Sequence, residues 1–231
     1  MLMLMPMVLA LATDPGPAAT SAPRPTPLTE IGRVRALPAC VPIVAHANGA
    51  ITQALENDRT LAIISNNAHT TDFDKLNFLQ RRNAVEALMR QAEAIRVASS
   101  SGDVEVKKLR EYENSANDPE RKAELKAFAD AIAGALYRQK KAAVEFMRDV
   151  TIVRGREDAA EGRELMRQNN PVPPSGPTQE MAGAPPILPG VPDSYNKQFK
   201  QIGDAIDADV LGVEMDEGIA ADHSIAATSG C

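Results

Sequence analysis

Residues 119–154 read PERKAELKAFADAIAGALYRQKKAAVEFMRDVTIVR, thirty-six residues with no proline after the first. Leu125, Ala129, Ile132, Leu136, Ala143, Met147 and Val150 recur at steps of three and four, and Phe128, Ala135 and Phe146 widen the stripe. That period places them on one side of an α-helix. The stripe is broad, as in a bundle, rather than the narrow seam of a two-stranded coil. At 1.5 Å per residue the segment spans roughly 54 Å. Its start is marked locally. Asp118 suits the cap, Pro119 the first helical position and Glu120 the first turn.

A helix this long needs long partners, and the proline map shows where they can lie. Of 17 prolines in the 231-residue chain, eight fall in residues 1–42, eight in 171–192, and only Pro119 between. Proline removes an amide donor and breaks helix interiors, so the middle of the chain is free to be helical. The spacing predicts a first helix from about Val41–Ala45 to Ala68, carrying Ile43, Ala47, Ile51, Ala54 and Leu55. It predicts a second from Asp72 or Phe73 to Ala98, capped by Thr71 and closed by a turn at Ser99–Gly102. A third, weaker helix is expected over Val104–Ala116. The fold expected is all-α: an antiparallel bundle of three to four long helices with disordered Pro-rich N- and C-terminal tails.

The expected organisation is a signal peptide over 1–12, a flexible segment over 13–40, the bundle over 41–168, a Pro-rich linker over 169–193 and an acidic tail over 194–231. Within that tail Phe199, Ile202, Ile206 and Val210 predict a short amphipathic helix from Tyr195 to Leu211. Met1–Ala12 is almost wholly apolar and ends in Ala10-Leu11-Ala12, a small-x-small pattern, which points to export to the periplasm or beyond. It lacks a basic n-region, and Pro6 interrupts it. No apolar run reaches the roughly 18 residues of a membrane span.

Charge excludes some functions. Residues 43–170 hold 20 basic and 20 acidic side chains, whereas residues 193–222 hold two lysines against eight acids. A neutral, mixed-sign body with six aromatics and no Trp offers no footprint for nucleic acid. An unknown protein partner or self-association is compatible with this surface.

Candidate chemistry is sparse. His46, His69 and His223 are the only histidines, and none has a second histidine or a cysteine at ligand spacing. His69 lies near Asp72 and Asp74, which read as helix-start residues rather than ligands. Asp207, Asp209 and Gly212 match three positions of a calcium loop, but Leu211 and Gly218 fall where two further ligands are required. Ser65 and His69 share a helix face without the Gly-rich loop of a nucleophilic site. The small residues Ala129, Ala133, Ala135, Ala142 and Ala143 read as close helix packing, with a ligand slot as the alternative. Cys40 and Cys231 are candidates for a disulfide in an oxidising compartment, with unpaired thiols as the alternative.

No catalytic, cofactor or metal site is therefore expected. The function expected is that of an exported, non-enzymatic helical bundle acting as a binding, scaffold or envelope-associated module. The alternatives are a bundle holding a small apolar ligand and a homo-oligomeric structural subunit. An enzyme would call for a polar pocket with a displaced carboxylate or histidine titration, which this sequence gives no reason to expect.

Overall fold

The computed structural model describes residues 26–31, 40–169 and 194–228. The expectations for the export segment, the remaining tail residues, residues 170–193 of the linker and Cys231 lie outside them, whereas Asn169, expected to open the linker over 169–193, is the last residue of the third helix. The described residues form four helices: α1 (Val41–Thr70), α2 (Phe78–Ser115), α3 (Pro119–Asn169) and α4 (Tyr195–Ala227). No strand occurs among the described residues. No helix among them is long and apolar enough to cross a membrane.

The helices run alternately up and down. Early α1 meets late α2 through His46 and Glu105, early α2 meets late α3 through Arg81 and Glu157, and early α3 meets late α4 through Glu124 and His223. α1 and α3 touch across the bundle, whereas α2 and α4 lie on the opposite diagonal and their backbones do not come close. Large buried side chains form two clusters, one toward each end. Ile51, Leu109, Phe128 and Ile132 anchor the first; Leu61, Phe73, Ile95, Phe146 and Phe199 anchor the second. Full burial of each such side chain contributes roughly 1.5–3 kcal/mol.

Two helix boundaries differ from the sequence-based expectation. The second and third expected helices are one continuous α2. Ser99 does not end it. Its hydroxyl donates to the Ile95 carbonyl and accepts from Asn57 Nδ2 across the interface. Gly102 lets Leu136 approach so closely that a Cβ there would stand 2.7 Å from Leu136 Cδ1. Ser99 and Gly102 thus serve packing and not a turn. The start of α2 also moves, from Asp72–Phe73 to Phe78. Asn77 and Gln80 form a capping box, each side chain accepting from the other's backbone N–H. Thr71 instead ends α1, its N–H donating to the Asn67 carbonyl.

The larger difference is at the C-terminal end. The expected short helix of the acidic tail is a 33-residue helix that completes the bundle. Beyond Leu211 it buries Val213, Ala220, Ala221 and Ala227, small residues that let it lie close to α1 and α3. Its first turn is held by the loop after α1: Asp74 accepts from the Ser194 hydroxyl and the Tyr195 N–H, and Asp72 accepts from Asn196 Nδ2. Arg81 reinforces this joint. It pairs with the buried Glu157 at 2.6 Å, donates to the Phe73 and Leu76 carbonyls, and lies over the Tyr195 ring.

Residues 26–31 cross the bundle as an extended strap. Leu28 is buried in the first cluster, and Asn48 grips the strap at Ile31, accepting from its N–H at 2.7 Å and donating to its carbonyl at 2.9 Å. Thr52 donates to Glu30, and Thr26 to Asp222. At the same end Cys40 is buried at the head of α1 beside Arg121. Ala227 and Ile43 share a cluster there, so α4 ends where α1 begins. Cys231 itself lies outside the described residues, and with it the Cys40–Cys231 pairing.

Candidate functional site

Between the two apolar clusters lies a buried polar layer to which every helix contributes. Asn57 of α1, Ser99 of α2, Gln139 of α3 and Glu217 of α4 are each less than a tenth exposed. Asn57 Nδ2 donates to Ser99, and Gln139 Nε2 donates to the Ala54 carbonyl at 2.8 Å and, at 3.4 Å, to Glu217 Oε1. Polar groups buried in a bundle cost free energy unless partnered, and they penalise registers that would separate them. The layer is incompletely satisfied. Gln139 Oε1 and Asp58 Oδ1 are buried without a hydrogen-bond partner among the described residues.

On the α1–α4 side this layer opens into a cavity of about 470 Å³ beneath the strap, lined by Thr26, Pro27, Leu28, Leu55, Asp58, Glu214 and Glu217. Three of these are carboxylates and none is basic. Burial first, then the Asp58 and Glu214 charges, push the Glu217 carboxyl up to about 7 from its ordinary 4.5. Burial and Glu214 raise Asp58 as well. The walls combine acids with the apolar faces of Pro27, Leu28 and Leu55. This is a polar pocket with a displaced carboxylate, a feature not expected from the sequence. It arises because Asp58 and Glu217, 159 positions apart in sequence, are brought together when α4 docks.

A second cluster joins the same two helices farther along. His69 Nδ1 lies 2.9 Å from the Ser65 carbonyl, which can only accept, so Nδ1 carries a proton. His69 Nε2 faces Asp204 Oδ1 at 2.9 Å and Asp207 Oδ2 at 3.9 Å. The hydrogen bond to Asp204 is the main cause of the raised His69 pKa. The Ser65 carbonyl and the charges of Asp207 and Asp204 add to it, against burial. Ser65 is buried and donates its hydroxyl to Asp207 Oδ1 at 2.5 Å. The arrangement therefore does not activate a serine: the hydroxyl proton goes to a carboxylate, and the imidazole presents Nδ1–H to a carbonyl.

The other sequence candidates are placed elsewhere. Asp72 and Asp74 hold the start of α4 and do not join His69. Asp209 pairs with Lys141, and Gly212 lies under Arg138 within an unbroken helix, so no calcium loop forms there. His46 and His223 each bridge two helices to a glutamate at 2.6 Å. Ala129, Ala135, Ala142 and Ala143 are buried in the helix interfaces. A scan against protein-family models and searches of curated proteins and of solved structures found no match to this chain.

Proposed function

We propose that this chain is an extracytoplasmic, non-catalytic helical-bundle binding module, and that its strap cavity takes a small organic cation such as an aliphatic amine. One observation carries the reading: three carboxylates line a single cavity without a basic partner, one of them almost fully buried and another with an orphaned acceptor oxygen. An ammonium group supplies both the charge and the N–H donors this lining lacks. Pro27, Leu28 and Leu55 would cover an alkyl body, and the volume suits a small molecule.

A carboxyl titrating near neutrality also suits general acid–base chemistry. Binding is favoured because no histidine, cysteine, lysine or arginine lines the cavity beside it. The reading is tested by calorimetric titration of the full chain with putrescine and spermidine at pH 8 and pH 5.5. Saturable binding at pH 8, weakened at pH 5.5 and in D58N and E217Q, supports it. Absence of saturable binding, or binding indifferent to both substitutions, contradicts it.

Self-association is the second reading, and it has its own observation. Leu211, Met215 and Ile219 form an exposed apolar row at four-residue steps on the outer face of α4. Light scattering across a concentration series distinguishes it, since a second copy on that row would give a dimer that L211E and M215E dissolve.

A further inference from the structure

The His69 cluster is built more deliberately than an ion pair requires. Its ring is seated against α4 at Gly203, where a Cβ would stand 2.6 Å from His69 Cε1. Its Nδ1–H is fixed by the Ser65 carbonyl, which leaves Nε2 as the atom aimed at Asp204 and Asp207. Asp207 is held in turn, its other oxygen accepting from Ser65 Oγ. A histidine with one nitrogen pinned by a carbonyl and the other facing carboxylates is the arrangement that a hydrogen bond behind the ring imposes on a metal-ligating imidazole. An imidazole lone pair cannot face a carboxylate oxygen at 2.9 Å unless positive charge lies between them. That charge is a proton or a metal ion.

We propose that His69 Nε2, Asp204 and Asp207 form a site for a divalent late first-row cation of the zinc class, which staples α4 to α1. One oxygen from each aspartate and the imidazole nitrogen lie within 4.8 Å of one another. Tetrahedral zinc with bonds of about 2.0–2.1 Å sets its ligand atoms about 3.3 Å apart, between the 2.9 and 3.9 Å observed here. Both aspartate side chains are about three-fifths exposed, so they can adjust around an ion and the ion can reach them. Three protein ligands leave the fourth position to water. The imidazole selects against magnesium and calcium, which prefer all-oxygen sites.

The site is separate from the strap cavity and stands or falls independently of it. Its consequence is structural. The ion would clamp the start of α4, the one helix joined to the rest through a long Pro-rich segment rather than a short turn.

The test is calorimetric titration of Zn²⁺ into the full chain at pH 7.5, alongside NMR of the three histidine rings. We expect one saturable site of micromolar or tighter affinity, weakened at least tenfold in D207N and in H69N. Zinc should shift the His69 ring resonances and spare those of His46 and His223, and magnesium should shift none. Because H69N also removes an α1–α4 contact, G203A is the second variant. It should displace the ring and weaken zinc binding while the circular dichroism spectrum stays helical. Lack of a saturable site, undiminished affinity in D207N and G203A, or shifts confined to the other two histidines would overturn the proposal and leave His69 as an imidazolium ion pair.

Discussion

Replacing Glu217 by glutamine is expected to stabilise the protein, and to do so more at alkaline than at acidic pH. The carboxyl titrates at about 7 in the fold against an ordinary 4.5, chiefly because it is buried. A raised carboxyl pKa opposes folding as the group ionises. The penalty starts to develop near the unfolded value and is complete above the folded one. At about 1.4 kcal/mol per pH unit it amounts to about 3 kcal/mol at pH 8.5 and about 1 kcal/mol at pH 5. Glutamine keeps the shape and cannot ionise. E217Q should therefore gain about 2 kcal/mol more over the parent at pH 8.5 than at pH 5, less whatever water at the cavity mouth screens. The new amide can also donate to the orphaned Gln139 Oε1, which adds a term independent of pH. The difference between the two pH values, not either value alone, is the quantity of interest. Urea unfolding of both proteins at the two pH values measures it, with unchanged m-values as the control on the unfolded state. For a chain of this size the thermal counterpart is about 4–8 °C. An equal effect at both pH values, or a greater gain at pH 5, would refute the burial argument for Glu217.

The parent protein should itself lose stability between about pH 5 and 8. His69 is raised by Asp204, so its contribution is whole below 6.5 and lost as pH rises through its folded value, and Glu217 acts in the same direction; a urea midpoint that climbs over this range would contradict both assignments. Arg81→Ala leaves Glu157 buried without its partner and frees two carbonyls, which should cost about 3–5 kcal/mol in chemical unfolding, and a loss under 1 kcal/mol would show the joint to be incidental. Gly102→Ala should destabilise by about 1–2 kcal/mol, because the clash with Leu136 outweighs the usual gain of about 1 kcal/mol from removing a helical glycine; a stabilised variant would mean that Leu136 moves aside freely.

The helix content was legible where the signals are local. The Asp118-Pro119-Glu120 start and the long apolar stripe after it gave α3 its place, and the Asp118 carboxylate does accept from the Glu120 N–H. A local signal was also overlooked. Asn77 followed by Gln80 is a capping box written in the sequence, and reading it would have moved the start of α2 from Phe73 to Phe78. Ser99–Gly102 misled for the opposite reason. Its composition is that of a turn, and only the distant partners Asn57 and Leu136 turn it into a close-packed stretch of helix. The second half of α4 was hidden because its buried face is mostly small, with Gly218, Ala220, Ala221, Ser224 and Ala227 beside a single larger aliphatic, Val213, among acids that read as a solvated tail.

Both candidate sites were beyond local reading. Asp58 and Glu217, and His69 and Asp204, become neighbours only when α4 closes the bundle. His69 did draw notice, but with Asp72 and Asp74, its neighbours in sequence, which the fold commits to the first turn of α4.

Everything proposed for the strap cavity and the His69 cluster depends on α4 being a true fourth helix of the bundle. Hydrogen exchange of the full chain, followed by mass spectrometry, measures this directly. Amides across 199–221 should be protected to the same degree as those of α3 across 125–150, and both should open together when the whole fold opens. Exchange of the α4 amides within seconds, while α3 remains protected, would mean that the helix is a loosely attached tail and that neither site is assembled in solution.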